Sequence, residues 1–155
     1  MTPAPHRPPI KGTSLLFDVF VLAQAVQEML AEGMTDSPLT PSEYALYSHV
    51  GEVGPCPPSQ IARDLRVPAT TVTVWVRAML RRGHVERHPS REDGRSYDVA
   101  LTGAGVAAHA AARDAFDVVN RRFLERLPVP EGELRSVLAG IIEATATRHP
   151  VGRAE

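Results

Sequence analysis

Between Gln60 and Leu101 two short helical patterns and a hairpin pattern follow one another with almost no chain left for connections, which constrains the fold more than anything else in the sequence. Ile61, Ala62 and Leu65 share one face of a first helix. Val67-Pro68 ends it, because proline has no N–H to give and pushes the residue before it out of the helical region. Pro68 then starts a second helix, at a position where the missing donor has no partner anyway. Along that helix Val72, Trp75, Val76, Met79 and Leu80 form one broad apolar side, while Ala69, Thr70, Thr71, Thr73, Val74, Arg77 and Arg81 lie elsewhere. Arg81 and Arg82 suit the negative end of the helix, and Gly83 supplies the left-handed position that stops it. Val85 and Arg87 begin a strand, and Tyr97, Val99 and Leu101 alternate with Ser96, Asp98 and Ala100 on a second, around a polar tip from Pro89 to Gly94.

Short hydroxyl side chains at the start of a helix can approach base edges in a major groove, with arginines behind them reaching phosphates. A solvated helix start or hairpin tip carries the same residue types, so Thr70, Thr71 and Thr73, or Arg91 and Arg95, are not decisive singly. Together they place a hydroxyl-lined helix beside an arginine-bearing ribbon, which is what gripping two adjacent grooves of DNA needs. Charge supports this. Residues 60–99 hold eight arginines against five carboxylates, a net of +3, whereas residues 1–59 hold one arginine and one lysine against six carboxylates, a net of -4. With an overall charge of -1 the chain is no general polycation, and its positive charge sits where the reading unit is.

The same residues resemble the MarR-type (multiple antibiotic resistance regulator) winged helix-turn-helix transcription factors. The likeness is carried by I-A-R-D-L-R-V (Ile61 to Val67), T-V-T (Thr71 to Thr73), R-R-G-x-V-x-R (Arg81 to Arg87) and D-G-R-S-Y-D-V-A-L-T-G-A-G (Asp93 to Gly105), the last being similar to the wing signature of that family. With the flanking helical segments it covers nearly the whole chain. The resemblance implies that Arg95 enters the minor groove or meets its phosphates, and that Asp93 holds it there by an ion pair. It also implies a homodimer and release from DNA by small aromatic ligands held between the dimer helices and the winged domain, with no particular ligand indicated. Two positions depart from the family pattern: Val74 stands where an arginine is frequent, and Glu86 interrupts the run before Arg87. Both bear on base preference.

The remaining chain is read around that unit. Residues 1–11 form a proline-rich flexible arm. Residues 12–34 form a helix whose apolar surface, with Leu15, Val19, Phe20 and Val26 among its members, is wider than one core contact requires and suggests a partner. The winged helix-turn-helix occupies 38–101. It opens with the capping box Thr40-Pro41-Ser42-Glu43 and a helix packing Tyr44, Leu46, Tyr47 and Val50, and Gly51 to Pro58 is the loop before the reading unit. Residues 102–150 form two further helices, the first capped by Thr102 and ended by Pro128 and Pro130, the second running from Glu131 to Arg148. Phe123, Leu134, Leu138 and Ile141 on these helices, with those of the first helix, are the candidate dimer contacts; the alternative is a monomeric core around the winged helix. The fold class is mainly α (α+β), a winged helix-turn-helix with a two-stranded wing flanked by N- and C-terminal dimerisation helices.

Other chemistries find little support. No stretch is apolar enough to span a bilayer and the N-terminus lacks the apolar core of a signal peptide, so a cytoplasmic protein is expected. Cys56, the one cysteine, has no partner for an internal disulfide and reads as an ordinary loop thiol. Gly103 to Ala108 meets a G-x-G-x-x-A pattern, but no second parallel strand with a terminal carboxylate follows. His84 and His88 are close enough to share a strand face, yet nothing nominates further metal ligands, and a polar surface pair is the simpler account. No cofactor or catalytic residue is expected. The expected DNA contacts are Thr70, Thr71 and Thr73 to bases, Arg77 and Ser59 to phosphates, and Arg91, Asp93 and Arg95 in the wing; the partner is a palindromic operator bound by a homodimeric repressor. A winged-helix module that binds protein and has lost DNA affinity is the second reading. Salt separates the two, since only phosphate contacts weaken steeply with ionic strength.

Overall fold

Thr40 and Glu43 begin the winged domain by satisfying each other's end of a helix. The Thr40 hydroxyl accepts from the Glu43 amide at 3.3 Å, and the Glu43 carboxylate accepts from the Thr40 amide at 2.9 Å. The computed structural model describes residues 14–90 and 97–145. In chain order these form α1 (Leu15–Gly33), α2 (Pro41–Val53), α3 (Pro58–Asp64), α4 (Ala69–Arg81), β1 (Val85–Pro89), β2 (Tyr97–Leu101), α5 (Gly103–Leu124) and α6 (Glu131–Thr145). The expected arm at 1–11, the wing residues Arg91, Asp93 and Arg95, and the end of the last helix beyond Thr145 lie outside the described residues. The chain divides into two compact units, residues 1–119 and 120–155.

In the first unit Leu39, Leu46, Tyr47, Val50, Ile61, Val72, Val76, Met79 and Val99 are fully or almost fully buried in one cluster. Apart from Leu39, which precedes α2, they come from α2, α3, α4 and β2, and on the helices they lie on the face that the period predicted. β1 and β2 pair antiparallel, with Val85 opposite Leu101 and Pro89 opposite Tyr97.

Four local expectations need correction. The segment from Gly51 is not yet loop: α2 continues to Val53, and the helix stops at Gly54, whose φ of 82° is open to glycine and strained for other residues. Pro68 is the residue before α4 rather than its first turn, with an extended ψ of 140°. The alternation along β2 fails at its root, where Val99 and Ala100 are both buried, because this strand lies against α2 and α3. Cys56 is no loop thiol. Its amide donates to the Val99 carbonyl at 3.3 Å and its carbonyl accepts from the Val99 amide at 2.9 Å, so it forms a one-residue edge to β2 and is 1% exposed. Burial pushes the Cys56 thiol pKa up, with the nearby Asp98 and Asp64 charges acting in the same direction.

α1 and α6 contain no buried residue. In α1, Leu15 is 70% and Phe20 59% exposed, Leu16, Val21 and Leu22 are exposed beside them, and Val19 and Val26 are half-buried. In the second unit Phe123, Leu134 and Ile141 are half-buried and Leu138 is exposed; Phe123, Leu134 and Leu138 help line a groove of about 170 Å³. Such a volume is smaller than the roughly 300 Å³ at which small-molecule sites usually begin.

Candidate nucleic-acid interface

The reading helix α4 is anchored on one side and open on the other. Val72, Val76 and Met79 are buried, and Trp75 and Leu80 pack partly against the same core. Thr70, Val74, Arg77 and Arg81 recur at one-turn and two-turn spacing on the opposite side and are all exposed. Among the described residues neither Arg77 nor Arg81 makes an ion pair, so both guanidinium groups stay solvated and available to an anion. The three threonines are not equivalent. Thr70 is exposed with no hydrogen bond from its hydroxyl among the described residues, and Thr71 is half-buried. The Thr73 hydroxyl donates to the Ala69 carbonyl at 2.9 Å, the back-bond that a threonine inside a helix often makes, so it keeps no proton to offer outward.

The turn before α4 is tight. The Val67 amide donates to the Ala62 carbonyl at 3.0 Å, and Arg66 between them has a φ of 53°. This left-handed conformation normally falls to glycine or asparagine, and here an arginine adopts it. Ser59 is exposed in the first turn of α3, where its hydroxyl does not cap the helix.

The other end of α4 is held by long-range polar contacts. Arg82 donates to the Glu43 carboxylate at 2.8 Å, so the residue that caps α2 also grips the end of α4. Partial burial raises the Glu43 pKa, but the Thr40 backbone amide and the Arg82 guanidinium outweigh it and hold the carboxyl below its ordinary 4.5. Tyr47 and His84 meet through the phenol oxygen and Nδ1 at 2.8 Å. His84 therefore faces the domain, while His88 lies 3.1 Å from Glu86 on the strand; the expected surface pair of histidines does not form. Among the described residues no group of three or more histidine, cysteine or acidic side chains could hold a metal ion.

Gly83, with a φ of 69°, turns the chain into β1, and Thr102 closes the hairpin onto the same point. The Thr102 hydroxyl donates to the Gly83 carbonyl at 2.7 Å, and its amide donates to the His84 carbonyl at 3.0 Å. The same hydroxyl oxygen accepts from the Gly105 amide at 3.2 Å, capping α5. A Cβ at Gly105 would run into the His84 carbonyl oxygen, so this glycine exists for close packing of α5 on the turn. That accounts for the G-x-G-x-x-A pattern without a nucleotide, and the strand before it belongs to a two-stranded antiparallel sheet.

Sequence reasoning missed three of these features. Arg66 gives no local sign of a left-handed backbone, the Arg82–Glu43 bond joins residues far apart in sequence, and the Thr73 back-bond withdraws a donor that residue type alone seemed to provide.

A short helix, a tight turn, a reading helix and a two-stranded ribbon closed by a further helix define a winged helix-turn-helix domain. The profile of the MarR family matches residues 39–97. The crystal structure of a probable transcriptional regulator from Pseudomonas aeruginosa is 31% identical and superposes with a TM-score of 0.73, covering 83% of this chain and 96% of that one. The chain belongs to the MarR family. The Mycobacterium tuberculosis transcriptional regulator MosR, solved with DNA, shares the fold at 20% identity and a TM-score of 0.74, over 86% of this chain and 96% of that one. The transcriptional repressor CouR, bound to a 23-mer DNA duplex, does so at 21% identity and 0.71, over 86% and 93%. A search of curated proteins gave no match. Among the described residues no helix is long and apolar enough to cross a membrane.

Proposed function

We propose that this chain is a double-stranded DNA-binding transcriptional regulator that acts as a homodimeric repressor in the cytoplasm and is released from a palindromic operator by a small aromatic effector. The observation that carries the reading is the outward side of α4, where Thr70, Arg77 and Arg81 stand exposed and unpaired on a helix whose other side is locked into the core. That helix has the diameter and the donors for a major groove, and the solvated arginines match phosphates at its edges. Thr71, Thr73 and Ser59 flank the same approach, and Arg91, Asp93 and Arg95 serve the wing. MosR and CouR, which share the fold, were solved on DNA.

The homodimer rests on the exposed apolar residues of α1 and, separately, on those of α6. Five large apolar side chains, Leu15, Leu16, Phe20, Val21 and Leu22, are exposed around the first turns of α1, more than a monomeric protein usually leaves in water. A second copy covers them through Leu15, Val19, Phe20 and Val26, and through Phe123, Leu134, Leu138 and Ile141 on the later helices. Two-fold symmetry then makes the operator a palindrome. The arm at 1–11 and the division into 12–34, 38–101 and 102–150 follow the same reading.

The test is selection of duplexes from a random pool with the purified full-length chain, followed by a salt titration. A palindromic consensus whose affinity falls linearly on a log–log salt plot supports the proposal. Indifference to every duplex at low ionic strength and without effector would sink it, and a salt-insensitive protein partner would favour the interaction-module reading instead.

A further inference from the structure

In the middle of the outward row of α4 stands a side chain that can neither donate nor accept a hydrogen bond. Val74 is 63% exposed, one turn from Thr70 on one side and about one turn from Arg77 on the other. Scattered exposed valines are ordinary on protein surfaces. This one lies at the centre of the face assigned above to the major groove, where every other exposed member of the row is polar or cationic.

We propose that Val74 is a specificity-determining residue that selects thymine in each half-site through the thymine 5-methyl group, an inference that rests on the DNA-binding reading above. On the major-groove edge only thymine displays a carbon substituent; cytosine shows an amino donor, guanine two acceptors, and adenine an acceptor and a donor. An isopropyl group pressed onto any of those polar edges removes their water and returns no hydrogen bond, which is unfavourable. Pressed onto a methyl group it buries apolar surface on both sides. The adjacent Thr73 offers no donor to a base acceptor, because its hydroxyl proton goes to the Ala69 carbonyl at 2.9 Å. Arg77 and Arg81 extend from the later turns of the helix, toward the phosphates that bound the groove. The centre of the reading face therefore discriminates by dryness and shape, and its flanks by charge.

The experiment uses the full-length chain and the duplex it selects from a random pool, resynthesised with deoxyuridine replacing thymidine at one position at a time in both half-sites. Uracil pairs as thymine does and lacks only the methyl group. At one symmetric position the wild-type chain should lose roughly fifteenfold in affinity, about fourfold for each of the two methyl groups removed from the dimer's site, and cytosine at that position should bind more weakly still. Val74→Ala, on an exposed site and checked for native circular dichroism, should weaken binding to the thymine duplex and become indifferent to uracil at that one position. Duplex binding with a flat uracil scan, or a uracil effect that persists in Val74→Ala, overturns this inference and leaves the DNA-binding function standing. Failure to bind any duplex overturns both.

Discussion

Gly105 and Gly103 lie two residues apart in the first turn of α5, yet adding one methyl group should affect them in opposite ways. At Gly103 an added Cβ meets nothing within 4 Å. Gly103→Ala should therefore be neutral or stabilising by up to about 0.5–1 kcal/mol, from reduced chain entropy in the unfolded state. At Gly105 the methyl group meets the His84 carbonyl oxygen, and stands 3.0 Å from the carbonyl carbon and 3.2 Å from Leu101 Cδ2. The first obstacle is backbone, held by the Thr102 amide at 3.0 Å, so it cannot rotate away as a side chain would. Overpacking of this kind costs about 1–3 kcal/mol. Relief by lifting α5 also stretches the Gly105–Thr102 cap, worth a further ~0.5–1.5 kcal/mol net. About 3 kcal/mol is expected in all, which for a chain of 155 residues is a fall in Tm on the order of 6–12 °C. Urea unfolding followed by circular dichroism, at one fixed protein concentration so that any dimer contributes equally, measures both variants. A Gly105→Ala chain within about 0.5 kcal/mol of the wild type, or a Gly103→Ala chain equally damaged, would refute the close-packing explanation.

Three further outcomes follow from the contacts described. The buried Cys56 thiol, its pKa raised by burial, should resist an aqueous disulfide reagent in the folded chain and react at the rate of an ordinary thiol in urea; rapid native labelling would show that the Cys56–Val99 edge opens readily. Glu43→Gln should cost about 1 kcal/mol at pH 7, a charged hydrogen bond discounted because Arg82 is 42% exposed. Since the folded carboxyl titrates below its ordinary 4.5, that stabilisation is present above the unfolded value and disappears as pH falls through the folded one. Unfolding free energies of wild type and variant should converge in acid, and a pH-independent gap would contradict the ion pair. Phe20→Glu, placed on a ring that is 59% exposed in the single chain, should shift sedimentation toward the monomer at micromolar concentration while helicity is kept; an unchanged oligomer would remove Phe20 from the proposed interface.

Periodicity located α2, α3 and α4, because each buries a single face and a wrong register would expose it; β2 buries the neighbours Val99 and Ala100 and so was placed in spite of its alternation. Thr40 and Glu43 could be read as a cap since both partners lie within one turn. The failures share a cause as well. Gly51 looks like a stop, but a glycine ends a helix only if the chain needs a left-handed residue there, and that residue is Gly54. Cys56 has no strand pattern because a single residue has no period; its partner Val99 is far along the chain. Arg82 resembles any cation at a helix end until the fold brings Glu43 to it. Around α4 the residue types were legible and their hydrogen-bond commitments were not, so Thr73 read as a free hydroxyl and Val74 as a mere departure from pattern.

The ribbon departs from the body of the domain at Gly83 and returns to it at Thr102, and one hydroxyl hydrogen bond of 2.7 Å fastens the two ends together. Topologically that makes everything between them a loop drawn out from a closed ring. Beyond the last pair, Pro89 and Tyr97, residues can be added to or removed from the excursion without disturbing Val99, which is buried and bridged to Cys56. The length of the tip is thus adjustable independently of α4, and a longer or shorter graft beyond Pro89 and Tyr97 should leave the melting of the rest untouched.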